Sequence, residues 1–206
     1  QSIIGVILLL APFVICKLFN LKISFFVICV YDILLFLSVF LGFILKFYQI
    51  LPWYDIVTHS INHVALTILG IVLINATFKL NGNANNIAIA IFGVLFAIAC
   101  GFLWELVEFT LDSTLGLNMQ RTIPEVDTLY NGGNSLLPLN GTESEVATFF
   151  NSPLGYKYAL LDTMYDLVVD LIGAIIGLII FLVLDPVTKG KIYNSLKREL
   201  IYKNSR

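Results

Sequence analysis

Three short acidic runs hold most of the chemistry this chain has to offer: Asp55 with His59 and His63, Glu105 with Glu108 and Asp112, and Asp162 with Asp166 and Asp170. Spacings of three and four residues stripe each run along one face of a helix that turns about 100° per residue. Carboxylates mixed with imidazoles are the donor set of divalent ions. Imidazole favours zinc, manganese or iron, whereas oxygen alone favours magnesium or calcium. His59 and His63 lie one turn apart, close enough for both to ligate one ion, and Glu105 and Glu108 have the i, i+3 spacing of carboxylate-bridged sites in helix bundles.

These runs sit in a chain that is 58% hydrophobic and 13% charged over 206 residues, with a mean hydropathy of +0.90. That composition describes an integral membrane protein. Five continuous apolar segments, roughly 2–20, 23–47, 54–79, 87–112 and 158–184, reach the ~20 residues a bilayer span needs. The runs are continuous rather than alternating, so the expected fold is all-α, a polytopic transmembrane helix bundle and not a barrel. Residues 1–185 form the bundle, with an outer loop at 113–155, and residues 186–206 form a basic amphipathic tail. Ile192, Tyr193, Leu196 and Leu200 have helical spacing there, as expected of a short helix lying on an anionic leaflet. Cys16, Cys29 and Cys100 fall inside spans and read as packing residues.

Basic residues set the orientation. With five spans, Lys17, Lys22, Lys79 and the six cations of the tail share one side, leaving Lys46, Arg121 and Lys157 on the other. The positive-inside rule makes the richer side, and with it the C-terminus, cytoplasmic. The first residue, a Gln, then lies outside, which leads us to expect a further span ahead of it and six in the full-length protein. In this topology all three acidic runs lie within about 12 Å of the outer membrane boundary. Leu51-Pro52-Trp53-Tyr54 is expected to mark that boundary, with its aromatic pair at headgroup level. Gly173 and Gly177 continue the stripe of Asp162, Asp166 and Asp170, so this acidic face is also expected to be a close-packing face pointing into the bundle.

Each acid also has a plainer explanation. Asp55, Asp112 and Asp162 stand near helix ends, where capping or a solvated face accounts for a carboxylate. His59, Glu105, Glu108 and Asp166 lie deeper, where the plainer alternative is a hydrogen-bond network without a ligand. Carboxylates in a bilayer are costly unless paired or wetted, and these segments carry almost no Lys or Arg. Arg121 is available either to neutralise one acid or to meet an anionic headgroup.

Tyr54-Asp55-Ile56-Val57-Thr58-His59 resembles the Tyr-Asp-Arg-x-x-His signature of the YjdF-like family of bacterial inner-membrane proteins, a family of unknown function. Trp104-Glu105-Leu106-Val107-Glu108-Phe109 is similar to its Tyr-Glu-x-x-Glu-Trp segment, and Asp162-Thr163-Met164-Tyr165-Asp166 with Gly173 to its Asp-x-x-x-Asp pair and downstream Gly. Ile56 stands where the family has Arg and Ser60 where it has Phe, and the family's Gly-Thr-Gln-Gly-Asp run is not recognisable. A weaker likeness links the chain to VanZ-like proteins. The resemblance singles out Asp55, His59, Glu105, Glu108, Asp162 and Asp166 as the ligand set and leaves His63, Asp112 and Asp170 less certain.

The first functional reading is a metal-dependent membrane hydrolase or transferase acting on a lipid or polyprenyl-linked substrate at the outer leaflet of the cell membrane. Zn, Mn or Mg would be the ion, and Glu105 or Glu108 a ligand or general base. An alternative is a cation- or proton-coupled transporter or ion-binding protein. The inner halves of the third to fifth spans are almost wholly apolar, so its pathway would stop halfway. A third reading is a non-catalytic membrane partner. Nucleic-acid binding is set aside, because the basic tail is short and faces the membrane.

Overall fold

The computed structural model describes residues 2–18, 21–23, 25–51, 53–78, 86–115, 119–120, 152–187 and 200–202. The protein is an all-α membrane bundle, as its composition requires. In chain order it runs α1 (Ser2–Leu18), β1 (Leu21–Ile23), α2 (Phe25–Leu35) with a π-helical continuation (Phe36–Ile44), α3 (Phe47–Ile50), α4 (Tyr54–Phe78), α5 (Asn86–Leu115), α6 (Pro153–Val187) and β2 (Leu200–Tyr202). Among the described residues, three helices are long and apolar enough to cross a membrane, through Tyr54–Ile74, Ile87–Leu115 and Pro153–Leu184. The remaining apolar stretches, Gly5–Val14 and Val27–Gly42, are shorter.

α4, α5 and α6 each pack against the other two, and glycine sets how closely. A Cβ on Gly173 would meet the Ser60 carbonyl oxygen at 2.5 Å, and one on Gly177 the Val64 carbonyl oxygen at 3.0 Å. The expected close-packing face of α6 is therefore the one seated on the α4 backbone. Gly70 and Gly93 do the same between α4 and α5, where a Cβ on Gly70 would lie 2.9 Å from Gly93 Cα. Toward one end of the trio, Ile71, Ile89, Ala90 and Phe181 close an apolar core with Ile74, Leu178 and Leu182 against it. Thr67, fully buried just above, turns its hydroxyl to the Ala174 carbonyl at 3.3 Å.

Several boundaries differ from the sequence expectation for local reasons. α6 starts at Pro153, ahead of the apolar run, because Ser152 Oγ accepts the Gly155 amide at 3.1 Å and proline suits the first helical position. α5 continues to Leu115. The second expected span is not one straight helix. It widens into π geometry and stops where Lys46 takes a left-handed conformation (φ 60°), after which α3 redirects the chain. Tyr54 departs from the headgroup role assigned to it. It is 6% exposed, and its hydroxyl donates to the Leu37 carbonyl at 2.9 Å, whereas neighbouring Trp53 is exposed. Leu200, expected on an amphipathic helix, lies in β2, which pairs antiparallel with β1 in the register Leu21 to Tyr202 and Ile23 to Leu200. Ile192, Tyr193 and Leu196, Arg121, and most of the 113–155 loop lie outside the described residues.

Candidate metal centre

The site is built where the polar ends of α4, α5 and α6 meet, and its hub is Asp170. Its Oδ1 lies 2.9 Å from His59 Nδ1 and 2.7 Å from His63 Nδ1. The His63 Nδ1 also lies 3.0 Å from the His59 carbonyl oxygen, one turn back along α4. Carbonyl and carboxylate oxygens only accept, so both Nδ1 atoms carry hydrogen and both Nε2 atoms are left to face other partners. The two rings stack, with centroids 6.4 Å apart and planes inclined by 11°.

His59 Nε2 looks outward toward Asp55 Oδ1, 3.7 Å away on the preceding turn of α4. Asp166, one turn before Asp170 on α6, completes a set in which Asp55, His59 and Asp166 each offer a ligand atom within 4.8 Å of the others. His59, His63 and Asp170 form a second such set. Ligands bonded to one ion at ~2.0–2.2 Å stand at most about 4 Å apart, so either set needs only small adjustments.

α5 supplies the third wall. Glu105 and Glu108 are 4% and 6% exposed, a depth at which carboxylates are rarely left without a partner. Glu108 is within electrostatic range of Glu105, His59, Asp162 and Asp166, and Glu105 of His59, Asp55 and Asp170. The Thr163 hydroxyl on α6 is the donor within reach of Glu105. All six residues singled out from the sequence, Asp55, His59, Glu105, Glu108, Asp162 and Asp166, thus share one electrostatic neighbourhood.

Asp112 belongs to a different construction. Its two oxygens accept the backbone amides of Met119 at 2.8 Å and Gln120 at 2.9 Å, which fixes the turn beyond α5. The Gln120 side chain then donates to Thr163 Oγ1 on α6 at 2.9 Å. This bracket joins the polar ends of α5 and α6, with Thr163 close to Glu105. Asp112 is a structural carboxylate.

The chain matches the model of the family described as predicted membrane protein (DUF2238) over residues 1–129. The chain belongs to that family. The match spans α1 to α5 and therefore includes Asp55, His59, His63, Glu105 and Glu108, while α6 with its three aspartates lies beyond it. No curated protein and no solved structure matches.

Sequence reasoning undervalued His63 and Asp170 and missed Gly101. A signal for Gly101 was present, since it lies one turn before Glu105 on the same stripe. A Cβ there would run into Asp170 Oδ2 and would lie 2.6 Å from His63 Nε2.

Proposed function

We propose that this protein is a multi-pass membrane enzyme that holds a divalent metal ion between Asp55, His59 and Asp166 and carries out hydrolysis or group transfer on a lipid or polyprenyl-linked substrate. One observation carries the reading. The Asp170 carboxylate takes the Nδ1 hydrogen of His59 and so turns Nε2 toward Asp55 and Asp166. A carboxylate behind a histidine whose far nitrogen faces further carboxylates is the usual support of a metal-ligating imidazole, because it fixes the tautomer and raises ligand basicity. The donor set, one nitrogen with hard oxygens, suits zinc, manganese or magnesium.

A divalent ion bound there would supply Lewis-acid polarisation of a phosphoryl or carbonyl oxygen and a hydroxide at neutral pH. The chain's own residues do the rest. Glu105 and Glu108, buried on α5, are placed to take a proton from an attacking water or hydroxyl and return it to the leaving group. Asp162 adds negative charge that favours retention of a cation. Exposed apolar side chains beside the site, among them Phe102, Val107, Leu161 and Val168, offer acyl or prenyl chains a lipid-facing approach.

The apolar core of Ile71, Ile89, Ala90 and Phe181 lies beneath the polar stripe and favours a site open at one end over a conduction path. We place that open end at the outer face and the C-terminus in the cytoplasm. The distribution of Lys and Arg supports this orientation, as does the β1–β2 pairing, which brings the tail beside the Lys17 and Lys22 connection. The likeness to YjdF-like proteins rests on the same acids of α4 to α6.

The test is elemental analysis of protein purified in detergent without chelators, alongside Asp166→Asn and Glu105→Gln, followed by assay of polyprenyl-phosphate and phospholipid cleavage in reconstituted vesicles. We expect at least one equivalent of bound metal, lost in Asp166→Asn, and chelator-sensitive turnover that Glu105→Gln reduces by 10²-fold or more, on the order of a lost general base. Wild-type protein without stoichiometric metal would overturn the proposal.

A further inference from the structure

The ion just proposed leaves the deepest part of the site unsatisfied. Among the described residues, His63 Nε2 and Asp170 Oδ2 are buried side-chain atoms that make no hydrogen bond. Their residues are 4% and 2% exposed, so bulk water does not reach them. Neither belongs to the Asp55, His59 and Asp166 set, so an ion held there does not relieve them.

The chemistry of these atoms indicates what would. Nδ1 of His63 carries hydrogen, because it faces the His59 carbonyl oxygen and Asp170 Oδ1. In the tautomer with hydrogen on Nδ1, Nε2 is a lone pair. The other atom is a carboxylate oxygen, so both orphaned atoms are acceptors. Buried acceptors left without a donor or cation are costly, and more so when charged.

His63 Nε2 and Asp170 Oδ2 both close against Gly101, where a Cβ would run into Asp170 Oδ2 and lie 2.6 Å from His63 Nε2, so only glycine lets both acceptors sit there. Any other residue there would put a methylene between the two acceptors. Glu105, one turn along α5 on the same face and within electrostatic range of Asp170, stands beside this pair. Asp55, Glu105, Glu108, Asp162, Asp166 and Asp170 with the two imidazoles offer more ligand groups than one divalent ion engages.

From these observations we infer a second, deeper cation position beside Gly101, ligated by His63 Nε2 and Asp170 Oδ2 and flanked by Glu105. The centre is then dinuclear. Asp170 links its two halves, ligating the inner ion through Oδ2 while Oδ1 orients His59 toward the outer one. Two-metal centres clamp the attacking and leaving oxygens of an in-line displacement, so this inference rests on the proposed function and deepens it to a two-ion hydrolysis or transfer of a phosphoryl or acyl group.

Manganese(II) titration of the whole protein in detergent, with bound ions counted by electron paramagnetic resonance and elemental analysis, tests the assignment. The wild type is expected to take up two equivalents. Gly101→Ala and His63→Gln are expected to keep one, and that retained ion reports that the variant is folded. Asp166→Asn is expected to lose the other. One equivalent in the wild type would overturn the second position and leave the proposed function standing, whereas none would overturn both. Two equivalents retained in His63→Gln, or both lost while its helical circular dichroism is unchanged, would also overturn it. So would two retained in Gly101→Ala, since glycine would then serve helix packing alone. If Gly101→Ala does not fold, His63→Gln decides.

Discussion

His59 Nδ1 lies 2.9 Å from Asp170 Oδ1, so one nitrogen of a largely buried histidine on α4 is committed to a carboxylate on α6 and the other faces Asp55. The bond spans 111 residues of sequence. Its removal is the most direct probe of the site. Asp170→Asn keeps the volume but removes the charge that fixes the ring, and metal affinity is expected to fall by roughly 10- to 100-fold, as when other supporting carboxylates of ligating histidines are lost. Competition with a chelating dye measures it. Unchanged affinity would mean that His59 is oriented by something else.

Asp112→Ala is expected to behave in the opposite way. It removes two hydrogen bonds from backbone amides to a carboxylate and frees the turn at Met119 and Gln120. The cost should be about 1–3 kcal/mol of stability, with metal stoichiometry preserved. Thermal unfolding in detergent, read beside metal content, separates the two effects; a loss of metal would return Asp112 to the site.

Gly173→Ala should lower stability and metal affinity together. Its new methyl would meet the Ser60 carbonyl oxygen at 2.5 Å, and backbone cannot swing aside as a side chain does. Overpacking of this kind costs about 1–3 kcal/mol. Because Gly173 follows Asp170 by three residues on the same face of α6, the helix that moves to relieve the clash carries Asp170 away from His59. Denaturant titration and dye competition on the same preparation test the coupling. Reduced stability with full affinity would show that the site tolerates the shift.

Tyr48, on α3 between the spans, gives a prediction in pH. Burial pushes its phenol up to about 12, with Asp55 adding to the rise and contacts to Thr58 and Ser38 opposing it. The folded state holds this proton more tightly than the unfolded chain, whose tyrosine titrates near 10. The stabilisation is therefore complete below about pH 10 and is lost as pH climbs from there toward 12. Unfolding free energy against pH should show a one-proton slope across that window, absent in Tyr48→Phe. An identical slope in that variant would assign it to another group.

Helix identity and phase were legible because they are local. Apolar length gave α4, α5 and α6, and three-and-four spacing gave each acidic stripe its face. The start of α6 was legible too, in Ser152 and Pro153, but an apolar run is a poor guide to a helix end that leaves the hydrocarbon. The break after Ile44 carried no comparable signal, since Lys46 in a left-handed conformation follows from how α3 and Tyr48 pack rather than from its residue type.

The sequence by itself determined that this is a helical membrane protein, and that acids and imidazoles form one stripe on each of three helices. Periodicity fixes the direction of a side chain relative to its own helix axis. Periodicity says nothing of the rotation and vertical offset between helices, which are set by contacts such as Gly173 on Ser60 and Gly70 on Gly93. Only the tertiary structure therefore decided that Asp170 rather than Asp166 joins the two histidines, that Asp112 holds a turn, and that Gly101 lets His63 and Asp170 close against α5. One helical turn is about 5.4 Å, more than the difference between a hydrogen bond and no contact, so a shift of that size between α4 and α6 would have paired a different aspartate with His59.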